Sequence, residues 1–283
     1  MLIKKLLLLS ARNSTQAHVS LLKELHCRHL FTGDDMPQVI SSIRRQTEIQ
    51  QTAVPAQEEW LNDEPSEPYL YEKTFKEASY EPFVIVHTSG STGLPKPIVV
   101  PHGAIAASDA YNTSLGPSPP SNLEPFRNKR CLLVMPLFHL GGLDSALAKP
   151  CYYGQIPVFP PFHIPINTDL VAFMHTLAYV QCSVLPPSII EDLAKSRSTL
   201  EGMKRLTAIG YGGAPLSKQV GEMIRSYVPL ISLLGSTETY CLPTEIVDQE
   251  HWDYMRFRHE TGAHFVPDSD GLWELQVIRA SEY

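Results

Sequence analysis

Cysteine is scarce and scattered. Cys27, Cys131, Cys151, Cys182 and Cys241 are odd in number, and no two form a C-x-x-C pair. That excludes a disulfide framework and predicts reduced thiols in an intracellular, cytoplasmic protein. His26-Cys27-Arg28-His29 has no second ligand pair at zinc spacing, so it reads as a helix-end cluster rather than a metal site. Positive charge is short as well. A formal charge of −7 gives no electrostatic footing for nucleic acid or an anionic membrane as partner, and any anion site must build its positive patch locally. Long apolar runs are also missing. Met1-Leu-Ile-Lys-Lys-Leu-Leu-Leu-Leu-Ser10 has the flavour of a secretory leader, but it is too short to span a bilayer. No small-residue cleavage pattern follows before Arg12, and a buried strand over Leu6–Ser10 explains the run better. No internal repeat is present.

What remains is an ordinary globular composition. Hydrophobic residues make up 43% and charged residues 19% of 283, enough for a sizeable core in one large domain or two. The most informative stretch is Thr88-Ser-Gly-Ser-Thr-Gly-Leu-Pro-Lys96. Four hydroxyl residues (Thr88, Ser89, Ser91, Thr92) alternate with Gly90 and Gly93, and Lys96 closes the run. Glycine permits positive φ and a close approach to an anion, consecutive N–H groups form an anion-binding concavity, and lysine adds a mobile point charge. Phe83-Val-Ile-Val86 before it reads as a short buried strand, placing the loop where α/β sheets bind ligands. It is not a Walker A loop, because Pro95 and Pro97 flank the lysine.

Along the chain, Ser14 is placed to cap a helix whose apolar residues Val19, Leu21, Leu22 and Leu25 recur at helical spacing. Residues 51–81 show no sustained period and read as an extended connection. Ile98–Val100 returns as a strand, and a helix runs from Ala104 to Tyr111. Further strands are expected at 131–135, 157–160, 179–185, 206–209 and 230–234. Helices are expected at 168–177, 188–195 and 217–227. This alternation predicts an α/β fold with a mostly parallel sheet flanked by helices.

The Thr88–Lys96 run resembles the phosphate loop of the adenylate-forming superfamily, which includes acyl-CoA synthetases, adenylation domains of nonribosomal peptide synthetases, and luciferases. Three more segments share the likeness in the family's order. Pro136-Leu-Phe-His-Leu-Gly-Gly142 resembles a pocket motif whose Phe138 and His139 would border a carboxylate substrate. Gly212-Gly-Ala-Pro-Leu216 resembles the turn that packs on adenine, implicating Gly212, Gly213 and Ala214, with Tyr211 and Val184 as further walls. Leu234-Gly-Ser-Thr-Glu-Thr239 resembles the motif whose threonine (Thr237) contacts the α-phosphate and whose glutamate (Glu238) binds magnesium. Thr237 and Glu238 would thus be the catalytic pair.

The resemblance implies ATP and Mg²⁺ as cofactors and a small aryl, keto or amino acid as substrate. The product would be an acyl-adenylate, and carrier and reductase domains are expected in the full-length protein. Arg12-Asn13-Ser14 and the segments after Glu238 look like the fungal synthetase-like group of adenylate-forming reductases. Residues 1–283 then correspond to a partial core of the large N-terminal adenylation domain, without its natural start or the small C-terminal domain. No Tyr-x-Thr-Gly-Asp motif, carrier serine or G-x-G-x-x-G fingerprint occurs in the sequence. The activating lysine of the C-terminal domain is missing with them, so the chain alone is not expected to complete adenylation. A degenerate nucleotide- or acid-binding protein without turnover and a free-standing acyl-CoA ligase are the alternative readings. The Thr88–Lys96 loop and Glu238 are expected at the C-terminal edge of one sheet.

Overall fold

The computed structural model describes residues 5–33, 37–62, 65–89, 93–114, 120–258 and 261–278. The chain divides into two compact units, Met1–His102 and Gly103–Tyr283. Among the described residues, no helix is long and apolar enough to cross a membrane.

In the first unit, the Ser14 hydroxyl accepts from the Ala17 N–H at 3.2 Å and starts helix Thr15–Glu24 as its sequence requires. Its inner face buries Ala17, Val19, Leu21 and Leu22, together with His18, whose Nε2 donates to the Ser10 carbonyl at 2.9 Å. The strand expected over Leu6–Ser10 is reduced to a single parallel bridge, Leu7 to Ile85. The physical reason lies at its end, where the Ser10 N–H donates to the His87 ring at 3.1 Å instead of continuing a ladder. Two short strands, β1 (His29–Thr32) and β2 (Gln50–Ala53), pair in parallel. β2 takes the first residues of the segment read as a connection. Strands β3 (Pro82–Ser89) and β4 (Pro95–Pro101) form an antiparallel hairpin, with Val84 opposite Val100 and Thr88 opposite Lys96.

The second unit carries the main sheet. Strands β5 (Arg130–Leu133), β6 (Ile156–Val158), β7 (Cys182–Leu185), β8 (Ala208–Gly212) and β9 (Leu230–Ser236) run parallel. They are joined by an antiparallel β10 (Tyr240–Leu242), in the order β10-β9-β8-β7-β5-β6. Two further antiparallel pairs follow, β11 (Thr244–Glu245) with β12 (Arg256–Phe257), and β13 (Ala263–Pro267) with β14 (Trp273–Val277).

Leu132, Leu185, Ile209, Tyr211 and Leu230 pack with Met174, Ile190, Met203, Ile224 and Trp252 into the larger core. A further core cluster contains Cys131, Cys182, Ala208 and Ile231 with Phe126. Helix Thr168–Thr176 starts from an Asn167 side chain that accepts from the Leu170 N–H at 2.8 Å. Pro187 opens helix Pro187–Leu193 one residue before the expected Ser188 cap, because proline's fixed φ and missing donor suit a first helical position.

Chain order reverses at β5. The next strand, β6, lies on one side of it, while β7, β8 and β9 extend away on the other. In open α/β sheets such a switch point opens a crevice at the carboxyl ends of the strands. β3 is not part of this sheet. The expectation that the Thr88–Lys96 loop and Glu238 share one sheet edge is therefore corrected. A buried run such as Val84–Val86 has the same composition in a hairpin as in a parallel sheet, and only pairing separates the two.

Candidate functional site

Three of the four motif segments follow the carboxyl ends of strands in the main sheet. β5 leads through Val134–Pro136 to Phe138 and His139, whose rings stand 5.2 Å apart. His139 is the N-cap of the helical turn Leu140–Leu143. β8 ends at Gly212 and passes into Gly213, which has φ +84°, and then Ala214. The conformation of Gly213 explains why glycine stands there. β9 ends at Ser236, and Thr237, Glu238 and Thr239 form the turn into β10. The Ser236 hydroxyl holds this turn by accepting from the Thr239 N–H at 3.0 Å. Glu238 is exposed and Thr237 half-buried.

Not every expected wall residue reaches the same space. Val184 packs with Phe126, Cys182 and Leu233 on one face of the sheet. Tyr211 is 5% exposed and belongs to the core on the other face, its ring 5.9 Å from that of Trp252. Period-two alternation along paired strands separates them. Burial pushes the Tyr211 phenol up in pKa, against the opposing hydrogen bond to Ser232. Tyr211 thus packs in the core on the face opposite Val184 rather than lining one open pocket with it.

The fourth segment lies on the β3–β4 hairpin. Thr88 faces Lys96 across the pair, Ser89 is in register with Pro95, Gly93 has φ +82°, and Lys96 is exposed. Gly90, Ser91 and Thr92 lie outside the described residues.

Sequence reasoning missed a buried polar cluster behind the strand ends. The Tyr240 hydroxyl donates to Asp144 Oδ1, and Lys149 Nζ lies 3.3 Å from Asp144 Oδ2. Asp144 and Lys149 are 7% and 9% exposed. An acid inside the apolar run Leu140-Gly-Gly-Leu-Asp-Ser was the available signal. Asn122 was missed too. Its side chain donates to the Ser232 carbonyl at 3.0 Å and so ties the segment before β5 to β9. Among the described residues, no group of three or more His, Cys, Asp or Glu side chains could hold a metal ion by itself.

The family of AMP-binding enzymes matches residues 6–262. Over 288 aligned residues the chain is 30% identical to a carboxylic acid reductase of Neurospora crassa, covering 99% of this chain and 27% of that protein. Among solved structures, the N-terminal domain of FACL13 from Mycobacterium tuberculosis superposes with a TM-score of 0.73 at 17% identity, covering 95% of this chain and 67% of that one. O-succinylbenzoate coenzyme A synthetase (MenE) of Bacillus subtilis, in complex with ATP and magnesium ion, gives 0.65 at 21% identity, over 97% of this chain and 53% of its own. At those identities the structural likeness shows the fold. The chain spans about a quarter of the length of the Neurospora relative.

Proposed function

The chain belongs to the AMP-binding enzyme family, and from that premise we propose that it is the adenylating core of a larger synthetase-like enzyme. That enzyme activates a carboxylic acid with ATP to give acyl-AMP and pyrophosphate. The observation that carries this reading is the arrival of Phe138–His139, Gly212–Ala214 and Thr237–Glu238 at the carboxyl ends of strands in one sheet whose order reverses at β5. The Bacillus synthetase, solved in complex with ATP and magnesium ion, supports those two as cofactors. The Neurospora relative, a carboxylic acid reductase, supports a carboxylic acid substrate and a reductase domain elsewhere in the protein. An aryl, keto or amino acid as that substrate and a carrier domain beside the reductase are part of the proposal.

In the proposed reaction, a carboxylate oxygen attacks the α-phosphorus. The bond from that phosphorus to the bridging oxygen breaks, and its electron pair leaves with pyrophosphate. Catalysis then rests on positioning and on stabilising charge at phosphate oxygens. Thr237 donates to the α-phosphate, and the Gly212–Ala214 backbone packs against adenine. Phe138 and His139 border the acid, and Val184 forms a deeper wall. The Thr88–Lys96 loop binds the β- and γ-phosphates. Tyr211, the residue before that turn, is held in the core.

The residues fit magnesium. Glu238 is exposed, and no ion pair involves it among the described residues. Magnesium ordinarily takes one or two protein carboxylates together with phosphate oxygens and water. When bound, the ion supplies charge neutralisation at the phosphates.

Calorimetric titration of the 283-residue chain with ATP, with and without magnesium, tests the reading. Binding is expected to be weak and magnesium-dependent. Glu238→Gln should weaken the magnesium-dependent part about tenfold or more, the value of a charge-assisted contact. Tight binding indifferent to both magnesium and Glu238→Gln would refute the metal role, and no binding at all would refute the function.

A further inference from the structure

The turn that carries Glu238 ends on an unusual residue. Tyr240 has φ +62°, a left-handed conformation uncommon for a bulky side chain, where hairpin turns of this length ordinarily place glycine. It is also buried, at 8% exposure, while its neighbours Glu238 and Thr239 are exposed. A strained aromatic residue beside a functional turn calls for a compensating interaction. That interaction is the hydroxyl donation to Asp144 across 96 residues of sequence.

The receiving side is equally specialised. Residues Asp144–Ala148 form a π-helical turn, closed by the Lys149 N–H donating to the Asp144 carbonyl. In a regular α-helix, residues five apart point about 140° away from each other. The widened turn instead brings the Lys149 ammonium over the Asp144 carboxylate, while Lys149 also lies 4.8 Å from the centroid of the Tyr153 ring. Such turns recur at functional sites. The same helical run begins at Leu140, directly after His139.

We propose that Tyr240 is a positioning residue for Glu238: its hydroxyl, anchored on the Asp144–Lys149 pair, fixes the Thr237–Thr239 turn against the helix that starts beside Phe138 and His139. The inference rests on the proposed magnesium role of Glu238. It explains how an exposed carboxylate at the tip of a three-residue turn is held in one place, since the local side-chain hydrogen bonds of the turn, between Ser236 and Thr239 and from the Thr239 hydroxyl to the Tyr240 carbonyl, do not involve Glu238.

The protonation states agree with the geometry. Burial and the neighbouring Asp144 carboxylate push the Tyr240 phenol far above its ordinary pKa, so it remains a donor. Burial works against the Lys149 ammonium, but Cys241, Asp144 and Tyr153 outweigh it and raise its pKa.

The test compares wild type, Tyr240→Phe, Glu238→Gln and the double variant. ATP affinity is measured across a magnesium titration, and unfolding is followed in denaturant. Tyr240→Phe keeps the ring and is expected to raise the magnesium half-saturation about tenfold, the loss of one hydrogen bond to a charged group. ATP affinity without magnesium should stay unchanged. The double variant should lose no more than Glu238→Gln alone, because both act through one carboxylate. A merely structural Tyr240 would shift unfolding and leave the magnesium dependence where it was, which would overturn the proposal. If Glu238→Gln moves the magnesium dependence and Tyr240→Phe does not, this inference fails and the metal role stands. If neither moves it, both fail. Should Tyr240→Phe not fold, Asp144→Asn, which keeps the acceptor's shape, is expected to shift the half-saturation in the same direction, and an unchanged value would overturn the proposal.

Discussion

Acid should destabilise this fold through His175. The ring is 1% exposed in the larger unit, its Nε2 is 3.1 Å from the Ser183 hydroxyl, and its Nδ1 has no hydrogen-bond partner among the described residues. Burial, with a smaller push from Arg205, lowers its pKa from 6.5 to about 4. Below pH 6.5 the unfolded chain therefore takes up a proton that the native state refuses. Stability is full above pH 6.5, falls as pH drops, and stops falling near pH 4, where the native ring also charges. The shift amounts to roughly 3 kcal/mol, approached with a limiting slope of about 1.4 kcal/mol per pH unit. That is a sizeable part of the few kcal/mol that typically separate folded from unfolded chains. Urea unfolding of wild type and His175→Gln between pH 4 and 7 measures it. Other histidines and the carboxylates contribute to both curves and cancel in the difference. The variant should be less stable at pH 7 and converge on wild type as pH falls. Parallel curves across the whole range would show that the His175 ring takes up its proton equally in the native and unfolded states and would refute the reasoning.

Gly221→Ala should destabilise by about 2 kcal/mol or more, because an added Cβ would sit 2.0 Å from the fully buried Trp252 ring. Gly202→Ala, where the Cβ meets nothing within 4 Å inside helix Arg197–Met203, should instead stabilise by about 0.5–1 kcal/mol. Denaturant midpoints of the two variants check both signs. With a thiol reagent, exposed Cys151 should react first, whereas Cys131 and Cys182, buried and paired across β5 and β7, should react only on unfolding. Mass spectrometry of partly labelled chain reads the order, and early labelling of Cys182 would contradict the burial.

What the sequence reveals depends on whether a constraint is local. The Ser14 cap, the Gly213 turn and the apolar runs of β7, β8 and β9 are set by residues within a few positions of each other, and all three features are legible. The strands β1 and β2 are not. Four residues such as Gln50–Ala53, all exposed, have neither alternation nor an apolar run to mark them. Sheet membership of β3 is hidden for another reason: antiparallel return by β4 is a matter of pairing, and the prolines around Lys96 indicate a turn without saying which sheet it leaves. The Asp144–Tyr240 contact joins residues 96 apart and leaves no local trace beyond one acid in an apolar helix.

The motif glycines also mix two kinds of information. A Cβ at Gly212 would meet the Leu233 carbonyl oxygen at 2.7 Å, and one at Gly235 would meet the Tyr240 carbonyl oxygen at the same distance. Close approach of β8, β9 and β10 therefore requires both glycines whether or not a ligand binds. As signatures they identify the fold first and the chemistry second. Lys96, His139 and Glu238 are different, because each is exposed and belongs to neither of the two core clusters described above. Packing does not demand a cation, an imidazole or a carboxylate at those positions. The hairpin turn is closed by Ser236, and the helical run after His139 is anchored by Asp144 and Lys149. The functional assignment therefore rests most securely on the exposed motif residues, and the buried ones around them account for how those side chains are held.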